Sequence, residues 1–343
     1  MNLIESISHL GLTGSTPGLT ASAARSNELI ERMRSGLAGH GADGQLDVVA
    51  FGSLARREYT DASDVDYLVI VNAMPDDPAA PRALVQRVNE LIAAEADFAK
   101  ATSKAPGTSG LFGTAAGIFD IVDQVGLEGD TNHTHTRRME IVQESVSLLD
   151  PDLHTQILSR TIRRYLALVE ASPDRPPRFL LNDMLRYWRQ ITIDYQAKAP
   201  ARGQEPKAVL RYLKLLTTRK NLFASSVLPL IAPRDNAIPW NEYLNEVYAL
   251  PPLARLATVT QSAPEYVREA VRTVFETIDL FVQRTDSKEK RAQFEAITWE
   301  SRKDNAGYNE MKEAANRLQD AFENIFMGEW TEVTTKTRRY IVF

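Results

Sequence analysis

The chain has 343 residues, 43% apolar and 25% charged, with a net charge of −5 and no cysteine. That is an ordinary globular composition with room for two domains, and it excludes a disulfide framework, a thiolate metal centre and a cysteine nucleophile. No apolar run nears the roughly 18 residues of a membrane span, and the first 20 residues lack a basic lead into their apolar positions. The expectation is a protein of the cytoplasm with no secretory signal and no membrane partner.

In chain order, residues 22–37 carry Leu29, Ile30, Met33 and Leu37 near helical spacing. Residues 39–44 match G-x-G-x-x-G, but the motif follows a helix and precedes a strand, the wrong context for dinucleotide binding, so it reads as a helix stop and turn. Residues 46–51 and 65–71 read as the first two strands and 81–98 as an amphipathic helix. Residues 100–117 read as a loop whose Lys100 and Lys104 are phosphate-contact candidates or simply surface. Residues 118–125 read as a third strand. A helix then begins at Asp130 or Thr131. From residue 150 the pattern is helical throughout, near 151–171, 178–198, 206–230, 239–249, 264–284, 288–303 and 304–327, punctuated by prolines. Residues 330–343 are β-prone and fit a sheet edge or a loose end. The expected fold class is α+β, an N-terminal α/β domain over 1–148 followed by an all-helical domain over 149–343.

Two features carry chemistry. Asp64 and Asp66 stand two apart at the start of a strand, so they project to one face. Carboxylates that close repel unless a cation joins them, which makes the pair a cradle for Mg²⁺. Gly52 lets backbone approach a phosphate and Ser53 adds a hydroxyl donor; the bland alternative is a Gly-Ser turn and a solvated acid pair. The second feature is the charge of residues 175–220, with eleven basic residues against three acidic ones. It fits a polyanion partner or a solvated helix face. Its interleaved aromatics, among them Tyr187, Trp188 and Tyr212, suit a core better than a base-stacking platform. His133 and His135 flank Thr134 in a polar turn and read as solvated.

Gly52-Ser53-Leu54-Ala55-Arg56 followed by Ser63-Asp64-Val65-Asp66 resembles the signature of the DNA polymerase β-like nucleotidyltransferase superfamily in its shorter, minimal form. Arg57 stands where such sequences often have a second glycine. The resemblance implies a mixed sheet flanked by helices and transfer of a nucleoside monophosphate from a nucleoside triphosphate, ATP included, to a hydroxyl. It implies a two-metal Mg²⁺ site on Asp64, Asp66 and a third carboxylate, with Gly52, Ser53, Arg56 and Ser63 as nucleotide-binding residues. Asp120 is preferred over Asp123 as the third acid, because a carboxylate amid apolar strand neighbours asks for a cation. Residues 110–140 also resemble bacterial proteins assigned as nucleotidyltransferases, in which a double arginine follows a glycine turn. Arg137 or Arg138 would then meet the triphosphate, or both are exposed beside a helix cap. The acceptor implied is RNA, tRNA included, or protein, met by the basic segment. Some relatives are toxins of toxin–antitoxin or phage-defence systems, which makes an antitoxin a further partner. The alternatives are a nucleotide- or nucleic-acid-binding module with a degraded site and an interaction scaffold.

Overall fold

The computed structural model describes residues 1–41, 44–98, 111–167, 175–197 and 207–342. Lys100 and Lys104 lie outside these residues. The chain divides into a sheet unit, Ser22–Ala171 with Pro239–Pro251, and a helical unit, Met1–Ala21, Ser172–Ile238 and Pro252–Phe343. This differs from the expected division into 1–148 and 149–343. The N-terminal segment groups with the helices, and two later helices group with the sheet.

The elements begin with α1 (Leu3–His9), capped by Asn2 and Glu5, and α2 (Pro17–Leu37), which crosses the first boundary. Strand β1 (Leu46–Phe51) leads through a single turn, α3 (Gly52–Ala55), to β2 (Tyr67–Val71), then to α4 (Ala80–Phe98) and β3 (Thr114–Gly117). A π-turn at Phe119–Asp123 precedes α5 (Asn132–Gln143), β4 (Ser145–Ser147) and α6 (Pro151–Leu166). Among the described residues these strands make one sheet in the order β3-β2-β1-β4, with β2 parallel to β3 and both neighbours of β1 antiparallel to it.

Strand periodicity sorts the sheet's two faces. Val48, Ala50, Tyr67 and Val69 pack with Leu29, Ile30 and Met33 of α2 and with Leu84, Val88 and Ile92 of α4. Val49, Phe51, Leu68 and Ile70 pack on the other side with Ile121 and Val122 of the π-turn, Ile141 of α5 and Leu153 and Ile157 of α6. The sheet is therefore covered on both faces, which is why β1 is buried along its whole length.

Residues 118–125, expected as a strand, hold the π-turn instead; the strand is the preceding Thr114–Gly117. Its alanines and glycine have little strand preference of their own, and pairing with β2 at Leu68↔Thr114 through Val71↔Gly117 supplies the structure. β4 is a three-residue strand that residue pattern did not mark, held by Phe51↔Ser145 and Val49↔Ser147.

The helical unit contains α7 (Arg178–Ala197), α8 (Ala208–Lys214), a π-turn at Leu215–Arg219 and α9 (Lys220–Ile231). Helix α10 (Trp240–Tyr248) belongs to the sheet unit beside α6. The helical unit continues with α11 (Pro252–Val259), α12 (Glu265–Arg284), α13 (Lys288–Glu295), α14 (Ala306–Met327) and α15 (Thr331–Thr337). One of its cores joins Val209, Leu210 and Leu213 of α8 to Phe281, Phe294, Tyr308 and Met311. The β-prone C-terminus forms α15 and a π-turn at Arg338–Val342, with Val333 fully buried. The aromatics of the basic segment pack internally: Trp188 stacks on Phe223 at 5.2 Å between centroids, and Tyr212 meets Trp299 edge-on at 5.4 Å. No helix among the described residues is long and apolar enough to cross a membrane.

Candidate active site

β1 ends where β2 begins, so the Gly-Ser turn and the acid pair meet at one end of the sheet. Phe51 N–H donates to Asp66 O at 2.9 Å. Gly52 follows with φ +66, and a Cβ placed there would lie 3.5 Å from Asp66 Oδ2. The left-handed backbone favours glycine here, and the turn brings Gly52 within van der Waals reach of the Asp66 carboxylate. Asp64 is exposed and Asp66 half-buried, with Val65 buried between them, in the segment that leads into β2 at Tyr67 rather than in the strand itself.

α5 reaches the same end. Arg137 donates through Nε and one terminal nitrogen to Leu111 O, at 3.1 and 2.9 Å, and to Thr114 Oγ1 at 3.2 Å. Thr114 pairs with Leu68, and Gly113 N–H donates to Tyr67 O at 2.8 Å, so this arginine sits at the start of β3 next to the start of β2. Half-burial lowers its pKa, with the Glu140 charge opposing. From there α5 runs to Ser145, which pairs with Phe51. Its last turn carries Glu140 and its C-cap is Glu144, both buried. These two acids were not legible beforehand, because nothing in the helical pattern said which end of the sheet they would cap.

The other expected site residues fall into different roles. Arg56 is buried and pairs with Glu58 at 2.7 Å and with Glu144. Burial alone would lower its pKa, but the two carboxylates more than offset this and raise it. Ser63 accepts from Thr60 N–H at 3.1 Å and lies 3.0 Å from Thr60 Oγ1, closing the turn ahead of Asp64. Arg138 has its guanidinium fully buried and held by Asp130, Ile121 O and Tyr165 OH, so it is neither exposed nor turned to a ligand. Thr131, not Asp130, caps α5, accepting from Thr134 N–H at 3.2 Å. His133 is exposed as expected, but His135 is fully buried. Next to β4, Ser145 gives its hydroxyl proton to Ile141 O at 2.6 Å and lies 2.9 Å from His154 Nε2. Burial, aided by Arg34, pushes the His154 pKa down to about 4.

Asp120 is not brought to the acid pair. It follows the C-terminal end of β3, where a Cβ on Gly117 would lie 3.5 Å from Asp120 Oδ2, and Gly117 pairs with Val71. Five strand steps from Asp66 to Val71, at about 3.3 Å each, put it roughly 16 Å away at the opposite end of the sheet. It is also exposed, so the buried-carboxylate argument for it falls. Asp123 is nearer α6, paired with Arg160. Among the described residues, no group of three His, Cys, Asp or Glu side chains is placed to hold a metal. The donor chemistry still suits Mg²⁺, a hard cation commonly held by one or two carboxylates plus substrate phosphates. The residues present thus fit an ion shared between Asp64, Asp66 and a bound triphosphate, and they do not fit a closed three-acid cage including Asp120.

Arg57 takes φ 64, the left-handed region, where a side chain costs about 1–2 kcal/mol. This explains how the position can alternate with glycine. Arg57→Gly is expected to leave stability unchanged or raise it by up to about 1 kcal/mol, while Arg57→Val lowers it; urea unfolding of the two variants compares them.

Residues 30–107 match the family model described as a nucleotidyltransferase domain. The chain therefore carries a nucleotidyltransferase domain of the DNA polymerase β-like superfamily, and its fold is α+β with one small mixed sheet. Such a domain implies a nucleoside triphosphate substrate and transfer of its monophosphate, in a family that generally uses divalent metals. No curated protein matches the chain.

Proposed function

We propose that the protein is a Mg²⁺-dependent nucleotidyltransferase that moves a nucleoside monophosphate, AMP from ATP among the candidates, to a hydroxyl on RNA, tRNA included. The observation that carries this reading is the junction of the Gly52 turn with Asp66 at the end of the sheet where Arg137 also arrives. Asp64 and Asp66 would hold the ion, which when bound would neutralise charge on the phosphates and lower the pKa of the attacking hydroxyl. The Gly52–Ser53 backbone and the Ser53 hydroxyl bind phosphate oxygens, where no Cβ obstructs approach. Arg137, held at the start of β3 by Leu111 O and Thr114, brings positive charge to the same end of the sheet, which favours the negative charge of the leaving pyrophosphate. Arg56, Ser63 and Arg138 act by holding the turn and α5 in place rather than by touching nucleotide. Glu140, buried on α5 and close enough to Arg137 for its charge to act on it, is the carboxylate this reading assigns to accept the acceptor's proton. RNA is favoured over protein as acceptor by the basic run 175–220, and a toxin role with an antitoxin partner rests on the family resemblance.

The test is incubation of the protein with each α-labelled nucleoside triphosphate, Mg²⁺ and cell extract, followed by separation of RNA, protein and small molecules. Label in RNA is expected with the native chain and not with Asp64→Ala/Asp66→Ala. Equal labelling by that double variant sinks the catalytic assignment, and no label under any condition favours a binding module. In the same assay Asp120→Asn is expected to keep full activity, while Glu140→Gln loses transfer but retains nucleotide binding.

A further inference from the structure

Within the helical unit, a cavity of about 390 Å³ is lined by Arg175, Arg178, Leu181, Asn182, Arg339 and Tyr340. Three guanidinium groups therefore converge from two stretches of chain more than 150 residues apart, one at the start of α7 and one in the turn after α15. Among the described residues no acid lines the cavity, and none of the three arginines takes part in an ion pair. All three are exposed, so their charge is available rather than spent. Arg339 lies over the ring of Tyr340, 5.6 Å from its centroid, which holds both at the cavity wall.

Like charges gathered without a counter-ion repel, and the arrangement is favourable only when an anion joins them. A planar guanidinium fork matches phosphate oxygens, and three of them exceed what a single carboxylate can use. The opening of α7 adds a field of the same sign. The volume lies at the lower end of small-molecule sites, suited to one nucleotide rather than to a folded partner. The Asn182 amide offers a donor and an acceptor for a base edge, and the Tyr340 ring offers a face.

We propose that this cavity binds the phosphate group of a nucleotide, carried either by the end of an RNA strand or by a free mononucleotide. The proposal rests on the nucleotide-handling reading above but not on the acid pair. It also places the functional part of the basic segment at its first residues together with Arg339, which sequence alone did not connect.

The experiment uses the full chain in EDTA, as the native protein, as Asp64→Ala/Asp66→Ala and as Arg175→Gln/Arg178→Gln/Arg339→Gln. Thermal melting checks that the exposed triple substitution leaves the fold intact. The probes are short 3′-labelled single-stranded oligoribonucleotides with a 5′-phosphate or a 5′-hydroxyl, and AMP as competitor. The native chain and the acid-pair variant are expected to bind phosphorylated RNA or AMP alike. The arginine variant is expected to bind about 100-fold more weakly, with the salt slope reduced by about 0.7 for each phosphate that is no longer neutralised. Preference for 5′-phosphorylated RNA identifies a strand end, and competition by AMP at equal strength identifies a free nucleotide. Binding that is absent, or unchanged in affinity and salt slope in the arginine variant, overturns the proposal. Transfer activity that survives such a result leaves the catalytic reading standing, and arginine-dependent binding without any transfer does the reverse.

Discussion

Arg138→Met is expected to cost about 3–5 kcal/mol of folding stability, because it strands Asp130 as a half-buried carboxylate without its counter-charge. The five N–H donors of Arg138 are all engaged. Two terminal nitrogens meet Asp130 at 2.8 to 3.1 Å, Ile121 O accepts at 2.8 Å and Tyr165 OH at 2.7 Å. Burial pushes the Asp130 carboxyl up, but hydrogen bonds from Arg138, Gly126 N–H and Thr134 outweigh it and leave the pKa below normal. The same cluster ties α5 to the π-turn and to α6, and α5 is the element that carries Arg137 to the acid pair. Urea unfolding of Arg138→Met, Asp130→Asn and the double variant forms a cycle. A double variant that loses less than the sum of the singles shows the coupling. Additive losses below about 1 kcal/mol show that the cluster does not hold α5.

How far the sequence reveals this site follows from the length scale of each signal. β1 and β2 are legible because their apolar runs are longer than chance and end in Gly-Ser and Asp-Val-Asp, both set by local geometry. β3 is not, since Thr-Ala-Ala-Gly becomes a strand only through its parallel partner. The Phe-Asp-Ile-Val-Asp run that looks more strand-like buries Ile121 and Val122 equally well in a turn. That single displacement moved the expected third acid to the wrong end of the sheet. Arg137 and Arg138 are adjacent and identical in type, yet a 100° step around α5 sends one to the edge of β3 and the other into a buried ion pair. No composition or motif distinguishes them; only the phase of the helix against the sheet does. The arginine cavity depends on the meeting of chain segments far apart in sequence, which no local pattern records.

Asp47→Asn is expected to make the protein more stable at pH 8 and to flatten its stability between pH 4 and 7. Asp47 lies on β1 with no exposure, accepting from Ser147 Oγ at 2.8 Å and from Asp150 N–H at 2.9 Å through the same oxygen. Its other oxygen has no hydrogen-bond partner among the described residues. Burial, only partly opposed by those hydrogen bonds, raises its pKa to about 7 from 3.8. A carboxyl whose folded pKa stands above its unfolded value binds its proton more tightly in the folded state. Its contribution is therefore complete below about pH 4 and is lost as pH rises through about 7. At about 1.4 kcal/mol for each tenfold change in proton affinity, the full swing is on the order of 4 kcal/mol. Asparagine keeps the accepting oxygen for Ser147 and Asp150 and remains neutral at every pH, so it imitates the protonated acid. The difference in unfolding free energy between variant and native chain, measured in urea from pH 4 to 8, should grow steadily toward high pH. A difference independent of pH would mean that Asp47 stays ionised in the fold, stabilised by groups beyond Ser147 and Asp150. Because β1 delivers Gly52 to Asp66, the same titration is also expected to make the acid-pair end of the sheet more protected from hydrogen exchange at pH 5 than at pH 8.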